Sequence, residues 1–159
     1  VPRIGSGHTS GKLMAALTEM SDHEVFDWRH VVNWMDGDEA RRAELLAEVD
    51  LTKVPEANAA VNEALSQVLA CAPFLPAGKK EIISLASVTA ESVLLWNEIG
   101  VWLAGPRTED PVLAARLEHW YALYLNQWRQ ISRESGLPNL TRLIVRYADL
   151  LRGRQMQAE

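Results

Sequence analysis

Residues 110–135 read DPVLAARLEHWYALYLNQWRQISRES, long enough for about seven helical turns at roughly 3.6 residues each. Leu113, Leu117, Trp120, Tyr121, Tyr124, Trp128 and Ile131 recur at three- and four-residue steps and make one apolar stripe. Arg116, Glu118, Asn126, Gln127, Arg129 and Arg133 fall mostly between them. A stripe this aromatic must be covered, so the rest of the chain is expected to pack on it.

Working outward, Asp110-Pro111 supplies an N-cap followed by proline at the first helical position, and Gly136-Leu137-Pro138 breaks the helix at its far end. A last helix follows over 139–151, with Leu140, Leu143, Ile144, Tyr147, Leu150 and Leu151 at helical spacing. Upstream, Gly105-Pro106 ends a helix of about 25 residues over 79–104 that is apolar on most sides and therefore central. Residues 72–78, APFLPAG, cannot continue a helix and separate it from one over 55–71. Asp38 caps a shorter helix over 39–49. Before it, Ser21 or Asp22 is expected to cap a helix carrying Val25, Phe26, Trp28, Val31, Val32, Trp34 and Met35. A first run, 12–20, places Leu13, Ala16, Leu17 and Met20 on one side.

No segment alternates apolar and polar residues long enough for a strand. The expected fold is all-α: an antiparallel bundle of three long helices and a shorter C-terminal helix, with a smaller helical N-terminal portion. Residues 12–159 are read as one domain, a size that buries a real core. Residues 1–11, rich in glycine and serine, are expected to be a flexible lead-in or an expression remnant, and the chain a piece of something longer.

Of the residues, 48% are hydrophobic and 23% charged, the balance of an ordinary globular protein. The net charge of -5, with cations interspersed among acids, argues against nucleic acid. The single Cys71 makes no internal disulfide and reads as a structural thiol. No window of about 18 uninterrupted apolar residues exists, so no membrane partner is expected. A soluble protein follows, with the cytoplasm slightly favoured by the lone cysteine and the lack of a signal peptide.

Chemistry-bearing patterns are sparse. Gly5 to Lys12 imitates a phosphate loop, but Ser6 stands where a glycine is needed and Leu13 where a hydroxyl would hold magnesium. His23, Asp27 and His30 are the best-placed metal ligands, yet helix-surface and capping roles suit them better, and no metal or other cofactor is expected. Glu91 and Glu98 lie two turns apart on the central helix and are the carboxylate candidates if the chain is catalytic, with His119 as a third group. Marking the edge of an interface is the simpler role for the two glutamates. Ser84, Ser87, Thr89 and Ser92 on the same helix suit close helix packing, or the lining of a polar pocket.

Six tryptophans exceed what a bundle this size needs, and aromatic faces are what sugar rings stack on. Trp96, Trp102, Trp120, Tyr124, Trp128, Arg129 and Arg133 are therefore the expected ligand or partner interface, the arginines forming a cationic rim.

LWNEIGVWLAG (95–105) and LEHWYALYLNQWRQISRESGLPNLTRLIVRYADLLR (117–152) resemble the helical tail of bacterial glycoside hydrolases such as family 20 β-N-acetylhexosaminidases and related exo-glycosidases. The matching positions are Trp128, Arg129, Ser132, Arg133, Leu137, Tyr147, Ala148, Asp149, Leu150 and Arg152. In that family an adjacent Asp-Glu pair on a (β/α)₈ barrel of about 250 residues performs catalysis, and such residues have no positions in this chain. The resemblance implies a non-catalytic accessory domain of a carbohydrate-active enzyme. It would pack on the catalytic domain of the same parent chain or dimerise it, with carbohydrate as a possible ligand. The alternative is a stand-alone bundle that binds a protein partner or a small apolar ligand between its helices.

Overall fold

The computed structural model describes the backbone of residues 6–79, 81–131 and 137–154, and the side chains of 11, 15–78, 81–127 and 139–154. Among the described residues seven α-helices make an all-α bundle: α1 (Ser6–Asp22), α2 (Trp28–Asp36), α3 (Glu39–Glu48), α4 (Val54–Cys71), α5 (Glu81–Ala104), α6 (Pro111–Ile131) and α7 (Leu137–Leu151). No strand occurs among the described residues.

Punctuation in the sequence explains most boundaries. The Asp38 carboxylate accepts from Arg41 N–H at the start of α3 (2.8 Å), and the Asp110 carboxylate accepts from Leu113 N–H at the start of α6 (3.0 Å). Pro55 occupies the first turn of α4, where its missing N–H costs nothing. Residues 72–79 form two short 3₁₀ turns rather than a helix. Two helices reach further than the sequence pattern predicts. α1 already begins at Ser6, inside the expected lead-in, and α7 takes in Leu137 and Pro138, with proline in its first turn.

The neighbours run antiparallel. Trp120 Nε1–H on α6 donates to Val88 O on α5 (3.1 Å), while Arg116, one turn earlier on α6, reaches Glu98, which is later on α5. Asp110 N–H at the head of α6 donates to Leu151 O at the tail of α7 (2.7 Å). Asn58, early in α4, bonds Asn97, late in α5.

Helix α5 stands between two cores, which is why it is apolar nearly all round. By length and mean composition it is also apolar enough to cross a bilayer, although Ser84, Glu91, Asn97 and Glu98 interrupt it. Many of its apolar residues are occupied within the bundle, while Leu85 and Val101 are exposed. Leu95, Trp96, Ile99 and Leu103 pack with Phe26, Trp34, Leu117, Trp120, Leu143 and Tyr147 from α2, α6, α7 and the turn before α2. Ala86, Ala90 and Val93 pack with Ala16 and Met20 of α1 and with Val61, Ala64 and Val68 of α4. Cys71 lies half-buried beside this second core.

Asn97 is the one fully buried polar residue among those described. Its Oδ1 accepts from Val25 N–H (2.9 Å) and Phe26 N–H (3.0 Å), and its Nδ2 donates to His23 O (3.1 Å) and Asn58 Oδ1 (2.9 Å). Both lone pairs and both protons of the amide are thereby used, as burial demands. This node corrects the expected start of α2. Ser21 and Asp22 do not cap it. The backbone of 23–26 is drawn onto Asn97 instead, and α2 begins only at Trp28. Asp27 caps it by accepting from His30 N–H (3.1 Å), while Asp27 N–H donates to His30 Nδ1 (3.2 Å).

A candidate aromatic ligand pocket

The turn that Asn97 anchors carries one wall of a cavity of about 220 Å³. Phe26 and Trp28 line it from the start of α2, Ser92, Val93 and Trp96 from α5, Trp120 and Tyr124 from α6, and Leu140 from α7. Glu24 and Asp27 stand at the same cavity.

The aromatic walls meet nearly at right angles. Trp28 and Trp96 pack edge to face with centroids 6.2 Å apart and planes at 76°, and Trp96 and Trp120 do so at 6.1 Å and 85°. Tyr124 tilts against Trp120 at 5.2 Å. Such pairs are favoured because each ring's positive edge meets the other's negative face. Trp96 and Trp120 are buried, whereas Trp28 stays 44% exposed at the mouth. The fixed position of Phe26 depends on Gly100: a Cβ there would lie 2.8 Å from the Phe26 ring.

Desolvation, with a second contribution from the nearby Asp27, pushes the Glu24 carboxyl above its ordinary value. Asp27 is engaged in capping α2 and has Arg29 Nη2 3.9 Å from its Oδ2. Among the described residues the cavity lining contains two carboxylates and no cationic side chain. A shallower depression beside it, also reached by Glu24, adds Asp22, Glu48, Asp50 and Glu56, against Lys53, His23 and His30.

Of the interface residues expected from sequence, Trp96, Trp120 and Tyr124 come together here. Trp102 does not: its Nε1–H donates to Thr108 O (2.8 Å) at the α5–α6 turn. The side chains of Trp128 and Arg129, and all of Arg133, lie outside the described residues. Glu24, Phe26, Asp27 and Trp28 were not in the expected site. Trp28 lies three residues before Val31 and so shares the apolar spacing of a core position, and nothing local shows that the turn folds onto α5, 71 residues away.

The carboxylate pair Glu91 and Glu98 lies elsewhere on α5, joined through one guanidinium. Arg116 donates from Nη1 to Glu98 Oε1 (2.9 Å) and from Nη2 to Glu98 Oε2 (2.8 Å) and Glu91 Oε1 (3.0 Å). These bonds, Glu98's first, raise the Arg116 pKa, so the site is a clamp between α5 and α6 rather than a poised acid and base. His119 is exposed on α6. His23, Asp27 and His30 do not converge as ligands, and no group of three His, Cys, Asp or Glu able to hold a metal occurs among the described residues. Of the hydroxyl series on α5, Ser92 reaches the cavity and Ser84 is exposed.

Compared with known proteins, the chain matches no family model, no curated protein and no solved structure.

Proposed function

We propose that this chain is a non-catalytic helical module that binds a small ligand in the aromatic pocket between α2, α5 and α6. The observation that carries this reading is the cavity itself, walled by Phe26, Trp28, Trp96, Trp120 and Tyr124 from three parts of the chain. Concave, largely apolar sites with a few polar groups are where small molecules bind. Support for a binding rather than a catalytic role comes from the Glu91–Arg116–Glu98 clamp, which ties up the pair best spaced for acid–base work.

A fragment screen that includes neutral aromatics, monosaccharides and small amines tests it, read by tryptophan fluorescence and by amide shifts in NMR. Saturable binding with shifts clustered on residues 24–28, 92–96, 120–124 and 140 is expected. Binding that maps elsewhere, or none by any fragment, would sink the reading.

A second reading keeps the accessory domain of a carbohydrate-active enzyme, packed on a catalytic barrel or paired with a second copy. It rests on the tail resemblance and on Leu69, Phe74 and Leu85, exposed around the α4–α5 connection, where Phe74 is 79% exposed. An apolar patch of this kind is what a covering surface would hide. Analytical ultracentrifugation of the wild type and Phe74→Ser tests the self-pairing form: an association lost in the variant supports it, and a monomer at all concentrations counts against it.

A further inference from the structure

We propose that the aromatic pocket is a cage for a small organic cation, a methylated ammonium group carried by a free low-molecular-weight compound. This inference rests on the ligand-pocket reading and assigns the chemistry of its occupant. Three features of the cavity converge on it.

The first is the walls. Trp28, Trp96, Trp120 and Tyr124 line the space, with neighbouring rings set at 76°, 85° and 34° to one another. The negative ring faces attract a cation, and indole does so most strongly. A quaternary ammonium is well suited, because its charge is spread over methyl groups that also gain from apolar contact.

The second is charge. Among the described residues, Glu24 and Asp27 are the two carboxylates lining the cavity, and no cationic side chain lines it, although Arg29 Nη2 stands 3.9 Å from Asp27 Oδ2. Glu24 stands exposed at the cavity with no ion-pair partner among the described residues, and desolvation, then the neighbouring Asp27 carboxylate, raises its pKa. A cation beside it would offset the repulsion between the two carboxylates, and a neutral ligand would leave it.

The third is size and polarity. About 220 Å³ accommodates one compact headgroup with a short stem. A sugar ring would need several directional partners for its hydroxyls, because burying them unpaired is unfavourable. Among the described residues the lining supplies Ser92, Glu24, the Tyr124 hydroxyl and the Trp28 indole N–H, while Asp27 is occupied as the cap of α2.

The test compares choline with 3,3-dimethylbutan-1-ol, its neutral isostere, by calorimetry and tryptophan fluorescence on the full chain. Choline is expected to bind saturably and the isostere at least about tenfold more weakly, the range of a desolvated cation–π contact. Trp28→Ala and Glu24→Gln should each weaken choline binding. Both positions are exposed enough for the fold to survive, which circular dichroism checks. Equal binding of the isostere, or choline affinity unchanged in either folded variant, overturns the cation assignment while the pocket reading stands. No binding of choline or tetramethylammonium also overturns it, and binding of neutral fragments then decides the pocket reading separately. Vesicles of phosphatidylcholine distinguish the source of the headgroup: co-sedimentation without binding of free choline would overturn the free-compound assignment.

Discussion

The two faces of α5 pack by different rules. Towards α1 and α4 it presents Ala86, Ala90 and Val93 to Ala16, Ala64, Val61 and Val68. Small side chains let backbones approach and fill the space between helices with few voids. Towards α2, α6 and α7 it presents Leu95, Trp96, Ile99 and Leu103 to a set containing Trp34, Trp120 and Tyr147. Aromatic side chains bury a large area each, and on this side Trp96, Trp120 and Tyr124 line a cavity of about 220 Å³. One side of the helix is built for cohesion and the other for a pocket. On the aromatic side Trp120 Nε1–H and Tyr147 Oη–H find carbonyl oxygens, at Val88 (3.1 Å) and Val31 (2.6 Å), whereas the buried Trp34 Nε1–H has no hydrogen-bond partner among the described residues, and burial holds the Tyr147 phenol well above its usual pKa, so it remains a donor.

The comparison breaks most visibly at Trp34. It is fully buried, with the Arg42 guanidinium 4.1 Å and that of Arg107 5.2 Å from its ring. Trp34→Ala should cost about 3–5 kcal/mol, seen as a loss of the urea midpoint. A cost near 1 kcal/mol would mean that the aromatic side relaxes like a fluid core and does not hold a defined void. Next comes Asn97→Ala, which strips the acceptor from Val25 and Phe26 N–H. A loss of about 2–4 kcal/mol is expected, with the turn at 23–26 losing its protection from amide exchange ahead of α5. Retained protection would show that the turn is held by packing alone.

On the opposite face the expected effect changes sign of volume. Ala90→Leu should destabilise by about 1–3 kcal/mol through overpacking between α4 and α5. A neutral result would show that this side has spare room and that the contrast between the faces is overdrawn. The smallest effect belongs to Glu24. Its folded pKa is raised, so the folded state holds the proton more tightly than the unfolded chain. Stability from this group is therefore full below the unfolded value and falls as pH rises through the folded one. Glu24→Gln should raise the melting temperature slightly at pH 7 and lose that advantage in acid, below the ordinary glutamate range. An advantage that persists unchanged at low pH would remove the electrostatic account of the site.

The local punctuation was legible because it acts over one turn. Asp38, Asp110, Pro55 and Gly105-Pro106 each satisfy or withhold a few backbone groups, and the helices begin and end by them. The stripe on α6 was legible for the same reason, and Leu113, Leu117 and Trp120 are buried as their spacing implies. The cap of α2 was not. Ser21 and Asp22 offer the right chemistry, but a buried amide 71 residues from Phe26 outbids them, since leaving Asn97 unpaired in the core would be worse than starting α2 later. Half of the pocket was hidden by that same contact. Trp96, Trp120 and Tyr124 could be picked out as surplus aromatics, whereas Glu24 and Trp28 become wall residues only once the turn is pinned.

By itself, then, the sequence determined the all-α class, the order of the helices and the central place of α5, because periodicity and caps are properties of neighbours along the chain. The tertiary structure alone decided that α5 serves two unlike cores, that Arg116 clamps Glu91 to Glu98, and that five aromatic residues enclose a space beside two carboxylates. Those depend on which side chains meet across the bundle, and volume exclusion and the pairing of buried polar groups settle that only when the whole chain is packed.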